Sequence, residues 1–254
     1  MRFSANLGFL WTDRPLPEAI RTAKAAGFDA VEVHFPYAEN RAAVSAALEE
    51  TGLALLGLNT RRGDRPGDNG LAALPGRAEA AKAAIAEAMD WAAALGARNV
   101  HVMAGAAEGT AAHGVYLDNL AFACELAAER GVSVLIEPLN ARDAPGYFLR
   151  TTDQATAIMA ELGRPELRLM YDCYHVQIME GDLLRRFEAL MDRVGHVQFA
   201  GAPERGRPDR GEVAYDRLLP AMAALGWDQP FGAEYRPEGG TEASLGWLER
   251  WREL

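Results

Sequence analysis

Short runs of β-branched and aromatic residues alternate with longer stretches rich in Ala, Leu and Glu from one end of the chain to the other. Strands are predicted at Arg2–Leu7, Ala30–Phe35, Leu53–Leu58, Asn99–Met103, Ser133–Glu137, Leu167–Asp172, His196–Phe199 and Phe231–Tyr235. Helices are predicted between and after them, at Pro17–Ala26, Glu39–Thr51, Gly76–Leu95, Tyr116–Arg130, Thr152–Leu162, Asp182–Arg193, Tyr215–Leu225 and Glu242–Trp251. A glycine follows six of these helices, the usual left-handed stop, and Pro17 suits a first helical turn. Eight strands each followed by a helix give a single-domain (β/α)8 barrel. A doubly wound open sheet is the alternative. It usually carries a glycine-rich phosphate turn after its first strand, whereas here Asn6-Leu7-Gly8-Phe9-Leu10-Trp11 follows. The longest connection, Asn59–Pro75, is rich in glycine, proline and charge. In a barrel it overhangs the C-terminal face, as a lid or as a solvated loop.

Composition narrows the class. The 254 residues are 49% hydrophobic, enough for one large core, with no break that marks a domain boundary. The formal charge is −10 and no block of Lys or Arg stands out, so nothing suggests a nucleic-acid or anionic-membrane surface. Charge-free stretches such as Phe3–Thr12 are about half the ~20 residues that a membrane span needs. The first residues enter a strand pattern without a signal-like apolar segment, and a cytoplasmic protein is expected. Cys124 and Cys173 form neither a CxxC pair nor a disulfide framework. A homo-oligomer is left open.

The chemistry lies in how the later strands end. Strand five runs into Glu137-Pro138, strand six ends in Asp172, strand seven carries Gln198 between apolar residues, and strand eight reaches Glu234. One acid at a strand end is commonly a helix cap or half of an ion pair. Four polar groups at the same end of successive strands converge on the face where barrel enzymes keep their active sites. Three carboxylates in a largely buried mouth repel one another unless something neutralises them. A divalent cation does so. Oxygen ligands from Glu137, Asp172, Gln198 and Glu234 favour Mg²⁺ or Mn²⁺ over Zn²⁺.

Other residues are candidates for substrate contact. His175 follows Asp172 by three positions, at the start of the sixth loop. Glu32 and His34 share one face of strand two and either line the pocket or form an internal pair. An acid substrate needs a cationic fork, for which Arg61 and Arg62 in the third loop and Arg205 and Arg207 in the seventh are available. His101, His113 and His196 have no visible partner and read as core or surface; Cys124 reads as core, and Cys173 could line the site.

Six segments are distinctive when taken together: Arg2-Phe3-Ser4-Ala5-Asn6-Leu7, Gly27-Phe28-Asp29-Ala30-Val31-Glu32, Ile136-Glu137-Pro138-Leu139-Asn140, Tyr171-Asp172-Cys173-Tyr174-His175, Gly195-His196-Val197-Gln198 and Gly232-Ala233-Glu234-Tyr235-Arg236-Pro237. In this order they resemble the hydroxypyruvate isomerase family of the xylose-isomerase-like TIM barrel superfamily. The resemblance implies a (β/α)8 TIM barrel with one divalent metal on Glu137, Asp172, Gln198 and Glu234 and no organic cofactor. It also makes Glu137 and Glu234 the acid/base pair that moves a proton between adjacent carbons. The implied reaction interconverts hydroxypyruvate and 2-hydroxy-3-oxopropanoate, or a related small hydroxy-oxo acid. Gln198, where related sugar epimerases usually carry histidine, points to this branch. Gly201 stands where the family often has Asp, and Arg61 and Arg62 replace smaller or apolar residues, so the chain departs from the pattern where a substrate tail is read. A ketose 3-epimerase or polyol dehydratase, and a non-catalytic sugar- or acid-binding barrel, are the competing readings. A DNA-repair endonuclease of the same superfamily needs a His-rich multi-zinc site and a basic face, which five scattered histidines and the acidic charge do not supply.

Overall fold

Eight parallel strands close into one barrel in the computed structural model, which describes residues 1–254. They are Phe3–Asn6 (β1), Ala30–Glu32 (β2), Ala54–Asn59 (β3), Asn99–His101 (β4), Ser133–Ile136 (β5), Leu167–Asp172 (β6), Val194–Phe199 (β7) and Phe231–Ala233 (β8). They pair in chain order, and Phe3 opposite Phe231 closes the ring. The helices are Leu16–Ala25 (α1), Arg41–Thr51 (α2), Ala78–Leu95 (α3), Gly109–Arg130 (α4), Thr152–Leu162 (α5), Cys173–Met179 (α6), Leu183–Leu190 (α7), Tyr215–Ala224 (α8), Thr241–Ser244 (α9) and Leu248–Arg252 (α10). The expected (β/α)8 barrel is the observed fold. None of these helices is long and apolar enough to cross a membrane.

Strand β2 ends at Glu32, three residues before the predicted end, so His34 follows the strand rather than sharing its face with Glu32. The larger departures are in three helices and have local reasons. Helix α4 starts seven residues early, because Thr110 and Gly114 are weak helix formers that hid its first turns. Helix α6 occupies what reads as loop, so His175 sits in a first helical turn rather than in a mobile connection. The final helix is broken into α9 and α10, with Gly246 between them. What holds these two pieces is aromatic packing. Trp247 meets Phe3 on β1 edge-on at 5.2 Å and Phe199 on β7 edge-on at 5.5 Å, and Trp251 packs against Trp247, tilted, at 5.1 Å. Edge-to-face contacts of this kind add to the large apolar area that each ring buries.

The Asn59–Pro75 connection is tied down. Gly70 bridges to Ala104 beyond β4, and Ala72 and Ala73 donate to the carbonyls of Met103 and Ala104. A Cβ on Gly70, whose φ is +108°, would lie 2.4 Å from the Met103 carbonyl oxygen. The loop therefore overhangs the barrel mouth from a fixed root, with Arg62, Asp68 and Asn69 against the central cavity.

Candidate functional site

A cavity of about 440 Å³ opens at the C-terminal ends of the strands. Its wall includes Glu137, Glu234, His34, His101, His175 and Arg205. Glu137 and Glu234 each follow their strand by one residue, at the point where a chain leaving a parallel barrel turns toward the mouth. Asp172 and Gln198 are not part of that wall. They are the last or near-last residues of β6 and β7, 1% and 3% exposed.

Asp172 divides its carboxylate between two tasks. Oδ1 accepts from the Tyr174 backbone N–H at 2.8 Å, capping α6. Oδ2 is buried and accepts no hydrogen bond; it lies 3.6 Å from both His175 Nε2 and Arg205 Nη2. This strand-end acid is therefore a helix cap at one oxygen, and its other oxygen is without a hydrogen bond. Glu137 Oε1 and Gln198 Oε1 are likewise buried without a hydrogen-bond partner. Three unpaired oxygens of the residue types that hold hard cations are what a cation site requires of a protein. A carboxyl oxygen of Glu137, one of Asp172 and a ring nitrogen of His175 also lie within 4.8 Å of one another.

His175 is better placed as a donor than as a ligand. Its Nδ1 accepts from the Asn140 backbone N–H at 3.0 Å, which leaves the ring proton on Nε2. Burial holds its pKa well below that of an ordinary imidazole, and the Arg205 charge adds to the effect. The neutral ring then directs an N–H toward Asp172 and Glu137, 3.6 and 3.9 Å away. His101, with its pKa pushed down by burial to about 4, lies 3.5 Å from Glu137 Oε2.

The two glutamates occupy opposite electrostatic environments. Burial raises Glu137 well above the usual carboxylate range, and the neighbouring Glu234 and Asp172 charges push the same way. Asp172 is raised by burial to about 7, even though Arg205 opposes the shift. Burial would also raise Glu234. Arg205 and His34 outweigh it and hold that carboxyl below its ordinary value. The contacts explain why: Oε1 accepts from Asn6 Nδ2 at 3.0 Å and contacts His34 Nε2 at 2.9 Å, and Oε2 accepts from Arg205 Nη2 at 2.6 Å.

The four candidate arginines separate clearly. Arg205 is 9% exposed, with its guanidinium 4.7 Å from the Phe9 ring and 5.1 Å from the Tyr174 ring. Arg62 lines the cavity and stacks on Phe35 at 5.0 Å. Arg207 is outside the cavity wall and pairs with Asp209 at 2.8 Å. Arg61 is also outside that wall, bound to Glu87 at 2.8 Å and stacked on Tyr37. His34 reaches the cavity beside Gly8, where a Cβ would overlap the imidazole.

Glu32 lies below the cavity, inside the barrel. It accepts from Ser4 Oγ at 2.5 Å and from Gln198 Nε2 at 2.7 Å, and His196 Nε2 is 3.0 Å away. A Cβ on Gly232 would fall 2.4 Å from Glu32 Oε1 and 2.8 Å from His196 Nε2. Gly232→Ala is therefore expected to destabilise the barrel by about 1–3 kcal/mol, as overpacked cores do, and thermal denaturation will measure it. Cys173 and Cys124 are fully buried, and His113 pairs with Glu161 on the surface. His101 and His196 lack a sequence partner because theirs, Glu137 and Glu32, come from other strands. For His101, which ends β4, the strand-end rule that found Glu137 was the available signal.

The sequence and the fold have counterparts among known proteins. A family model described as xylose isomerase-like TIM barrel matches residues 20–251. A 2-oxo-tetronate isomerase of Cupriavidus necator is 44% identical, over 98% of this chain and 97% of its own length. The hydroxypyruvate isomerase of Escherichia coli K12 is 33% identical, over 99% of this chain and 100% of its own. Among solved structures, one described as an AP endonuclease of family 2 from Brucella melitensis superposes with a TM-score of 0.94 at 36% identity, covering 98% of both chains. With relatives this similar along its whole length and a family model that matches most of it, the chain belongs to the hydroxypyruvate isomerase family of the xylose isomerase-like TIM barrels.

Proposed function

We propose that this protein is a metal-dependent isomerase of a small hydroxy-oxo acid, either hydroxypyruvate or a four-carbon 2-oxo acid of the same pattern. The observation that carries the reading is the pair of glutamates in one cavity, Glu137 raised and unpaired at Oε1, Glu234 lowered and bonded at both oxygens. Titratable groups held apart in this way are how a site assigns acid and base roles at one pH. In such a substrate, one carboxylate takes the proton from the hydroxyl-bearing carbon and an enediolate forms across the two carbons. A proton then returns to the former carbonyl carbon, and the hydroxyl proton passes to the other oxygen. Nothing is oxidised or reduced overall.

Glu137, Asp172, Gln198 and Glu234 would hold the cation. The unpaired oxygens of the first three support them as ligands, and Glu234 would exchange one of its contacts with Asn6, His34 or Arg205 for the cation. When bound, Mg²⁺ or Mn²⁺ supplies positive charge that stabilises the enediolate oxygens. His175 adds a neutral N–H donor on the same side, and Arg205 a guanidinium for the substrate carboxylate. The 440 Å³ cavity has room for three or four carbons, and a more open hollow of about 490 Å³ shares His34, Phe35 and Arg62 with it. An endonuclease role finds no support in a chain of charge −10.

The direct test is turnover of hydroxypyruvate, four-carbon 2-oxo acids and free ketoses by protein stripped with a chelator and then reloaded. Activity on the acids that disappears on chelation and returns with Mg²⁺ or Mn²⁺ is the expected outcome. Activity confined to free ketoses, or unaffected by chelation, would count against the proposal.

A further inference from the structure

We propose that Glu32 is a positioning residue whose task is to fix which end of the Gln198 amide faces the cation site. The inference rests on the reading that Gln198 is a cation ligand. A glutamine amide has two ends of nearly equal size, and only the oxygen can ligate a metal. A glutamine therefore serves as a ligand only if something else decides its orientation. At this site the decision comes from below. Gln198 Nε2 donates to Glu32 Oε2 at 2.7 Å, and Gln198 Oε1 is left buried and unpaired. An ionised carboxylate accepts and never donates. Reversing the amide would set oxygen against oxygen at that distance and turn an NH₂ toward the cation, so the carboxylate selects one orientation.

Glu32 is itself held from several strands. Ser4 on β1 donates to its Oε1, His196 on β7 lies 3.0 Å from the same oxygen, and Gly232 on β8 leaves the space that Oε1 fills. The carboxylate reaches from β2 to β7 past both intervening strands, which explains a charged group 4% exposed inside the barrel. Outer partners of metal ligands typically change metal affinity by about 10–100-fold when removed.

The experiment is a Mn²⁺ titration of the intact protein and three variants, read by the signal of free Mn²⁺. Glu32→Gln keeps the volume but offers Gln198 both a donor and an acceptor, so the amide is free to turn. Its Mn²⁺ affinity is expected to fall about 10–100-fold. Gln198→Ala should also bind more weakly. Glu32→Gln combined with Gln198→Ala should bind no more weakly than Gln198→Ala alone, because Glu32 acts only through the amide. Glu32→Gln with affinity within twofold of the parent overturns the inference, and so do losses that multiply in the double variant. If the parent takes up no Mn²⁺, or Gln198→Ala binds it equally well, the cation reading fails and this inference with it.

Should Glu32→Gln not fold, the unaltered chain gives a second reading. It has four glutamines, so selective ¹³C and ¹⁵N labelling is tractable, and Gln198→Ala identifies the signal of interest. The Gln198 NH₂ protons should exchange slowly and hold their shift as Mg²⁺ is added, while the side-chain carbonyl carbon moves. Fast exchange, or a response to Mg²⁺ in the NH₂ and not the carbonyl, overturns the proposal.

Discussion

Glu137→Gln and Glu234→Gln should each lower kcat for the proposed isomerisation by at least ~10²–10⁴, the usual worth of a general acid or base. Each substitution keeps volume and removes the ability to carry a proton between carbons. Their effects on stability in the metal-free protein should then differ in sign. Glu137 is unpaired at Oε1 and raised first by burial and then by the Glu234 and Asp172 charges, so a neutral amide in its place loses no ion pair and Tm should hold or rise. Glu234 is the partner that Arg205 touches at 2.6 Å, and breaking a buried pair commonly costs about 3–5 kcal/mol. Asp172 and Asp143, 3.6 and 3.5 Å from the same guanidinium, reduce that loss, but Tm should still fall by several degrees. Turnover in heavy water separates proton transfer from its main rival. Deuterium should appear at the carbon that receives the proton, whereas a hydride shift carries the substrate's own hydrogen across. Complete absence of solvent label, or either variant retaining kcat, would remove the two-glutamate scheme even with the cation in place.

What the chain makes legible follows from how local each feature is. The barrel is local. Strand and helix periodicities repeat eight times, and the strand ends locate Glu137, Asp172, Gln198 and Glu234 by register alone. Helix α6 is local too but illegible, because seven residues give too short a period and its cap, Asp172, reads as the end of β6. His101 and His196 have no sequence partner because theirs lie on strands dozens of residues away. Glu32 could be placed on the inner face of β2 by alternation. That it meets Gln198, 166 positions later, follows only from closing the barrel through β8 and β1. The arginines are the clearest case. Arg205 and Arg207 share one loop and one chemistry, and composition cannot separate them.

What separates them is three-dimensional, and it leads to a second large effect. Arg205 adopts a left-handed backbone with φ of +57°, and its carbonyl accepts from the Arg236 N–H at 2.8 Å. That fixed root carries the guanidinium between Phe9 from the first loop and Tyr174 from α6, into the carboxylate cluster. A planar fork clamped by two rings loses little further freedom when it meets a substrate carboxylate. A charge-assisted hydrogen bond is worth about 1.5–3 kcal/mol. Arg205→Ala should therefore raise KM for hydroxypyruvate by roughly 10–150-fold, at about 1.4 kcal/mol per factor of ten. An uncharged ketose has no carboxylate to lose, so its KM should barely change. Arg205→Lys keeps the charge without the fork and should recover only part of the difference. Arg61→Ala and Arg207→Ala, whose guanidinium groups are already bound to Glu87 and Asp209 outside the cavity wall, should leave both KM values as they are. Arg62→Ala, at the cavity wall but stacked on Phe35, should fall between these extremes. If Arg205→Ala raises KM equally for the acid and the ketose, the guanidinium serves only to balance Glu234 and Asp172. The substrate carboxylate must then be read by Arg62 or by the cation itself.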